Sequence, residues 1–405
     1  MNFKVLIIGS DINAYYMARC YHELYHNKVD MICKSRMGFT YYSNITNIMI
    51  EPDLWISDKF VEILEKYANE NNYKQNKILL IATNDFYVRL IVENEEVLKK
   101  YFSFNYPRID IINNLLIKEN FYLAYKDSSL ELPKTVIYKC LSGDKIPEWD
   151  EFPMIVKPGD GFLYHKHEFE GMRKVYKIYS NDELKKSIQE IENSGYDGNL
   201  VLQEFIPGGD DALFDSIFYC NTQGKAELMT FAQIALQERT KTAIGNCTVL
   251  VNGYDEHGYK EELINKLKDF LESINYTGFA EFDIKYDSRD NKYKVLEINP
   301  RQARSSYYLA FCGYNLVKYL IDDVIFNKRH DLVLIKEQMV LSFVPKAVIK
   351  KYVDNKILSE KIFSLIKQNK YVNPLKYKDD KNFTRKLFLL YRDFNYLRKY
   401  KNNKF

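Results

Sequence analysis

The stretch GFAEFDIKYDSRDNKYKVLEINPRQARSS, residues 278–306, decides how this chain is read. Its first half alternates. Ala280, Phe282, Ile284 and Tyr286 fall on one side of an extended strand, and Glu281, Asp283 and Lys285 on the other. The polar run 288–291 is a turn, and the residues after it form a second strand folded back on the first. Asp283 then lies opposite Leu296 or Glu297, according to register. Glu297 and Asn299 are two apart and share a face. Two carboxylates and an amide therefore converge beside Arg301. Magnesium takes one or two carboxylates and completes its shell with phosphate and water oxygens. An arginine grips a phosphate or carboxylate as a fork. An exposed hairpin with a salt bridge explains these residues equally well when they are taken alone.

Residues upstream shift the balance. Lys118 lies in a predicted helix over 115–125, and Lys157 closes an apolar strand over 153–157. A glycine-rich loop follows, from Gly159 to Arg173, and contains His165 and His167. A further strand, 200–206, runs into Pro207-Gly208-Gly209-Asp210-Asp211. A lysine on a helix, a lysine ending a strand, a glycine loop, a hinge strand followed by an acid, then acid and Glu-x-Asn: in this order the elements resemble the ATP-grasp superfamily over residues 113–326. The resemblance implies that Lys118 and Lys157 contact ATP phosphates. It implies that Gln203, Glu204, Phe205 and Ile206 form the adenine hinge, although many members carry an acid where Gln203 stands. Asp210, with Asp211 as the second choice, matches the ribose-binding acid. Asp283, Glu297 and Asn299 match ligands of Mg²⁺ or Mn²⁺. Arg301, with Lys157, is expected to stabilise formation of an acyl phosphate, and Arg304 to join them at the substrate carboxylates.

The amino-terminal third reads differently. An apolar run over 3–8 ends in Gly9-Ser10-Asp11 before a predicted helix over 12–25, and residues 77–82 repeat the pattern before Thr83-Asn84-Asp85. This is the strand, turn and helix of a parallel α/β layer. Ligands of such sheets bind at the carboxyl ends of strands, which makes Ser10, Asp11, Asn13, Asn84 and Asp85 candidates, although caps and turns account for such residues more often. No GxGxxG is present, so a dinucleotide is not inferred. The expected fold is α/β. It comprises a Rossmann-like parallel sheet over 1–112, an ATP-grasp domain of two α+β subdomains over 113–326 with a lid at about 150–206, and a basic, mainly helical extension over 327–405.

Hydrophobic content of 46% and charged content of 28% fit a globular chain. The six cysteines form no CxxC pair, so neither a zinc nor a redox motif is signalled, and scattered single cysteines fit a reducing cytosol. The opening apolar run is too short for a signal core or a membrane span. The formal net charge of +3 hides an asymmetry. Residues 327–405 carry 20 Lys/Arg and 7 Asp/Glu, a balance of +13, which leaves −10 on residues 1–326. The basic segment either packs on the acidic body or faces a polyanion or an anionic membrane surface. No nucleic-acid module accompanies the charge, so nucleic acid is not an expected partner.

The resemblance reaches further. GSDINAYYMAR at 9–19, AIGN at 243–246 and EINPRQARSS at 297–306, with the length and the basic C-terminus, look like the D-aspartate ligases of Gram-positive cell-wall synthesis. That implies activation of the β-carboxylate of D-aspartate and its transfer to the lysine ε-amine of a peptidoglycan stem peptide, on a UDP-linked or lipid-linked muramyl precursor. It also implies a cytoplasmic enzyme, with peripheral contact between the basic C-terminus and the inner membrane surface. Glu238, Arg239, Lys241 and Asn246 would line the substrate pocket. Two rivals stand beside this reading: an ATP-grasp ligase of another amino acid or dipeptide, and a non-catalytic ATP-binding regulator. The joint presence of Asp283, Glu297, Asn299 and Arg301 argues against the second.

Overall fold

Strands that are apolar along their whole length have to be covered on both faces, and parallel sheets provide that cover. In the computed structural model, which describes residues 3–240 and 245–402, β1 (Phe3–Ile8), β2 (Val29–Cys33), β3 (Thr46–Ile50) and β4 (Lys77–Ala82) form a parallel sheet in the order β3-β2-β1-β4. Helices of eight or more residues are numbered here. α1 (Ile12–Tyr25) starts at Asp11, whose carboxylate accepts the Ala14 N–H at 2.9 Å. α2 (Ser57–Glu70) packs on the sheet, and α3 (Asp85–Glu93) starts at Asn84, which accepts the Tyr87 N–H at 3.0 Å. Gly9 turns the chain at φ 129°, and a Cβ there would lie 2.1 Å from Thr83 Oγ1.

The helix expected over 115–125 is two helices, α4 (Ile109–Leu116) and α5 (Lys118–Tyr125). Ile117 between them is extended, and the Lys118 N–H crosses to the Gly159 carbonyl at 3.1 Å. An antiparallel sheet follows: β5 (Thr135–Lys139), β6 (Met154–Pro158), β7 (Tyr176–Ile178) and β8 (Asn199–Glu204), in the order β5-β8-β6-β7, with α6 (Asn181–Asn193) closing its own core. This sheet begins at Thr135, upstream of the start near 150 expected for the lid.

The third sheet has nine strands: β9 (Leu213–Cys220), β10 (Ala226–Thr230), β11 (Ala232–Gln237), β12 (Cys247–Asn252), β13 (Gly278–Asp287), β14 (Lys292–Asn299), β15 (Val333–Ile335), β16 (Met339–Ser342) and β17 (Tyr371–Val372). Its main path is β14-β13-β9-β11-β12-β16-β17, and β10 joins β9 to β15. α7 (Glu261–Ser273) packs Ile264, Leu267, Phe270 and Leu271 against one face. β15, β16 and β17 lie beyond residue 327, so the sheet crosses the boundary expected there, and the C-terminal segment is not a helical appendage alone. α8 (Lys356–Lys367) and α9 (Phe383–Asn402) complete the chain. No helix among the described residues is long and apolar enough to cross a membrane.

α9 is tied to the first sheet through buried charge. Arg385 is 1% exposed. It pairs with Asp380 at 3.0 Å, donates to the carbonyls of Phe39 and Leu375, and lies 3.7 Å above the Tyr15 ring. Asp380 in turn accepts from Tyr15, Ser43 and the Asn44 N–H. Removing one member of a buried pair strands the other, at a cost of about 3–5 kcal/mol. Arg385→Ala is therefore expected to lower the thermal unfolding midpoint by several degrees, read by circular dichroism, while an exposed change such as Lys386→Ala leaves it unmoved.

Candidate active site

The two strands of the deciding hairpin pair with Asp283 opposite Glu297 and Glu281 opposite Asn299. Ile284 then pairs with Val295, so Leu296 is the extra residue of a bulge. Its carbonyl accepts the Tyr122 hydroxyl at 2.6 Å. On the other side, β9 sets Asp215 opposite Asp283. Four carboxyl groups and one amide therefore share one face of three neighbouring strands. Asn299 Nδ2 donates to Glu281 at 2.7 Å and to Asp283 at 3.3 Å, while its oxygen accepts from Arg301 at 3.1 Å. Ser305 donates to Asp215.

Burial and mutual repulsion shape the charge of this row. Burial, then the Asp283 charge against the relief given by Ser305, brings the Asp215 carboxyl up to about 7. Burial and the Asp215 charge bring Glu281 up to about 8. Asp283 rises well above the usual carboxylate range through burial and the charges of Glu281 and Glu297. Glu297 goes the other way. The Lys118 ammonium, 2.5 Å from it, holds it well below that range. This pair is open to solvent, with side chains 31% and 37% exposed.

Lys118 is the first residue of α5, and Lys157 lies near the end of β6. The two are drawn together because the loop after β6 meets the start of α5 at Gly159. A Cβ on Gly159 would fall 1.9 Å from a Glu119 carboxylate oxygen. Lys157 donates to Gln203 at 3.1 Å and to the Tyr122 hydroxyl at 3.3 Å. Burial, then the charge of Lys118, lowers it to about 7. Gln203 of the expected hinge thus faces the lysines. Glu204 turns away, bound to Arg289 at 2.5 Å, Lys294 at 3.0 Å and the Lys134 N–H at 2.8 Å. Phe205 lies beneath Lys177, 3.9 Å from its ring centre, and Ile206 is buried. Asp210 accepts the Gln237 N–H at 3.0 Å and lies 3.4 Å from Arg239, while Asp211 accepts from Asn355 at 3.0 Å.

Arg301 is held by Asp85, 2.8 Å away at the start of α3, so the first sheet supplies a partner to the row. Arg304 does not join it. Arg304 pairs with Glu238 at 2.8 Å, reaches the Tyr396 hydroxyl at 3.5 Å and covers the Phe343 ring. It lines a cavity of about 290 Å³ with Ile12, Phe39, Glu238, Arg392 and Tyr396. His167 rests against the Ser194 carbonyl, and Ser10 and Asn13 bond main-chain carbonyls of Ser35 and Thr83. Lys241 and the first two residues of AIGN, 243 and 244, lie outside the described residues. Glu281, Asp215 and Tyr122 join the site without having been picked from sequence. For Glu281 the alternation with Asp283 is the available signal, and for Asp215 it is a lone acid in the apolar run LFDSIFYC.

Among the described residues, no three His, Cys, Asp or Glu side chains form a ready-made metal cage. The oxygen donors of the row suit a hard divalent cation that leaves most of its shell to phosphate and water. Asn299 would have to rotate its amide to offer oxygen rather than nitrogen.

No protein-family model matches the chain. Its fold is similar to that of L-amino acid ligase from Bacillus licheniformis, with a TM-score of 0.58 and 14% identity over 80% of this chain and 74% of that one. It is similar to N5-carboxyaminoimidazole synthetase from Staphylococcus aureus complexed with ADP, with a TM-score of 0.58 and 14% identity over 84% and 82% of the two chains. Together with the order of elements and the acidic hairpin, this likeness gives the chain the ATP-grasp fold. The sequence places it more narrowly. It is 32% identical over 412 residues to D-aspartate ligase of Enterococcus faecium, spanning 98% of this chain and 96% of that protein. The chain belongs to the D-aspartate ligase family.

The raised acids carry a sign. Unfolded, Glu281 loses its proton near 4.5, and folded it keeps it to about 8. The folded state therefore binds more protons, and stability falls as pH rises through that interval. In EDTA the melting temperature is expected to drop between pH 5 and pH 8, and Glu281→Gln is expected to flatten that slope in differential scanning calorimetry.

Proposed function

We propose that the enzyme joins the β-carboxylate of D-aspartate to the lysine ε-amine of a peptidoglycan precursor stem peptide, using ATP. The observation that carries this reading is the row of Glu281, Asp283, Glu297 and Asn299 facing two lysines, in a chain related over nearly its whole length to a D-aspartate ligase. The ADP complex of the Staphylococcus aureus synthetase supports a nucleotide in the same fold. Lys118 and Lys157 take the phosphates. Gln203, Phe205 and Ile206 border the base, and Asp210, with Asp211 beside it, meets the ribose. Asp283, Glu297 and Asn299 would hold Mg²⁺ or Mn²⁺, with Glu281 paired across the strands from Asn299. Such an ion would supply positive charge against the phosphate oxygens.

A carboxylate does not acylate an amine in water. An oxygen of the β-carboxylate attacks the γ-phosphorus, the bond to the bridging oxygen breaks, and ADP leaves. Lys157 and Arg301 offset the charge that develops on the phosphoryl oxygens. The amine then attacks the acyl carbon, loses a proton, and phosphate departs. Glu238 and Arg304 have the charges needed to hold the ammonium and α-carboxylate of the amino acid. The acceptor is a UDP-linked muramyl peptide in the cytoplasm or its lipid-linked form at the inner membrane face.

Lys157 titrates near 7 in the free enzyme, with Lys118, Lys174, Glu297 and Tyr122 around it. A polyphosphate beside it favours its charged form. Nucleotide binding at pH 8 is then expected to take up close to one proton, against nearly none at pH 6. Calorimetry in buffers of different ionisation enthalpy reads this, and Lys157→Met removes it.

The substrate is tested by phosphate release with Mg-ATP, D- and L-amino acids and a lysine-containing UDP-muramyl pentapeptide. D-Aspartate alone should support turnover and add one aspartyl residue to the acceptor by mass spectrometry. Glu297→Ala should keep its circular dichroism and lose turnover. Turnover with a different acid retains the ligase and discards this substrate. Nucleotide binding without turnover for any pair favours the regulator.

A further inference from the structure

The outward face of α9 is apolar. Phe383, Leu387, Leu390, Tyr391, Phe394 and Leu397 are each 40–72% exposed. They recur every three or four residues, which gathers them into one stripe roughly 120° wide on a helix about 30 Å long. The opposite face carries Arg385, Arg392, Tyr396 and Tyr400, all buried in the body. The stripe therefore points directly away from the protein. A continuous apolar surface of this size on a soluble enzyme marks a docking face.

Its charge selects the occupant. α9 contains Arg385, Lys386, Arg392, Arg398, Lys399 and Lys401 against the single acid Asp393. Asp393 is already paired with Lys376 at 2.7 Å. Lys386 is exposed at one flank of the stripe, and Arg398 and Lys401 are exposed at its C-terminal end. A second copy seated on it would set one basic helix against another with no free acid between them. An anionic lipid surface offers hydrocarbon for the stripe and phosphates for the cations.

We propose that α9 lies in the plane of an anionic bilayer, with its stripe at the headgroup–acyl boundary and Lys386, Arg398 and Lys401 on lipid phosphates. The inference rests on the acceptor reading above only for the choice of the inner leaflet. The helix does not span the membrane. Its buried Arg392 and Tyr396 border the cavity that holds Glu238 and Arg304, so a membrane-bound α9 would bring that cavity next to the bilayer.

The test uses full-length protein and cosedimentation with vesicles of phosphatidylglycerol mixed with phosphatidylcholine, or of phosphatidylcholine alone. Wild type is expected to bind the anionic vesicles and to bind neutral ones far more weakly. Substituting Leu387→Ser, Leu390→Ser and Phe394→Ser together should weaken binding roughly tenfold or more. Lys386→Glu with Arg398→Glu should weaken it and remove its salt dependence. Both variants should keep turnover with the soluble UDP-linked acceptor. Wild type that ignores anionic vesicles while turning over overturns the proposal and leaves the ligase intact. Vesicle binding without D-aspartate turnover upholds the proposal and overturns the substrate reading. A dimer in light scattering that the serine variant converts to monomer would assign the stripe to a second copy and overturn the lipid reading.

Discussion

Four acidic side chains on one face of three adjacent strands repel one another, and the arrangement around them answers that repulsion. Asp215 and Glu281 are buried and Asp283 is half-buried, while Glu297 reaches solvent, so each charge is met by a proton, a hydrogen bond or a cation. The countercharges arrive from different parts of the chain. α5 supplies Lys118, the loop after β14 supplies Arg301, and the first sheet steadies Arg301 through Asp85. Ser305 and Tyr308 hold Asp215. In the proposed reaction this balance becomes a switch. Lys118 rests on Glu297; a phosphate would compete for the lysine, and a cation for the carboxylate.

Arg301 and Arg304 show how three residues of spacing divide the labour. The chain turns after Asn299, sending Arg301 to the carboxylate row and Arg304 to Glu238 under α9. Gln302 and Ala303 between them fasten the turn to the first sheet and to α1, through the Ala82 carbonyl and the Tyr16 hydroxyl. The turn is thereby the junction at which the amino-terminal layer, the central sheet and the C-terminal helix meet.

Much of this is legible in the sequence. Alternation along 278–286 separates core from site because the period of a strand is two. Asp11 and Asn84 announce their helices as caps. The bulge at Leu296 is a main-chain event without a side-chain signature, which is why Leu296 and Glu297 remain equal partners for Asp283 on paper. The break at Ile117 is set by a hydrogen bond to Gly159, a contact remote in sequence. β15, β16 and β17 are only two to four residues long and lie among lysines, so they read as part of a helical tail. Arg385 and Arg392 look solvated by composition. Their burial depends on Asp380, on the Phe39 and Phe343 carbonyls and on aromatic rings from elsewhere in the chain.

The Arg385 clamp also bears on how the protein comes off the ribosome. The surface of α1 around Tyr15 and the turn at residues 43–44 are made early, yet the groups that cover them are Asp380 and Arg385, near the end of the chain. Domains tend to fold as units during synthesis, amino-terminal first. Here the first unit forms with that surface open, and it closes only when Asp380 and Arg385 follow. A chain that stops short of Asp380 and Arg385 leaves that surface uncovered.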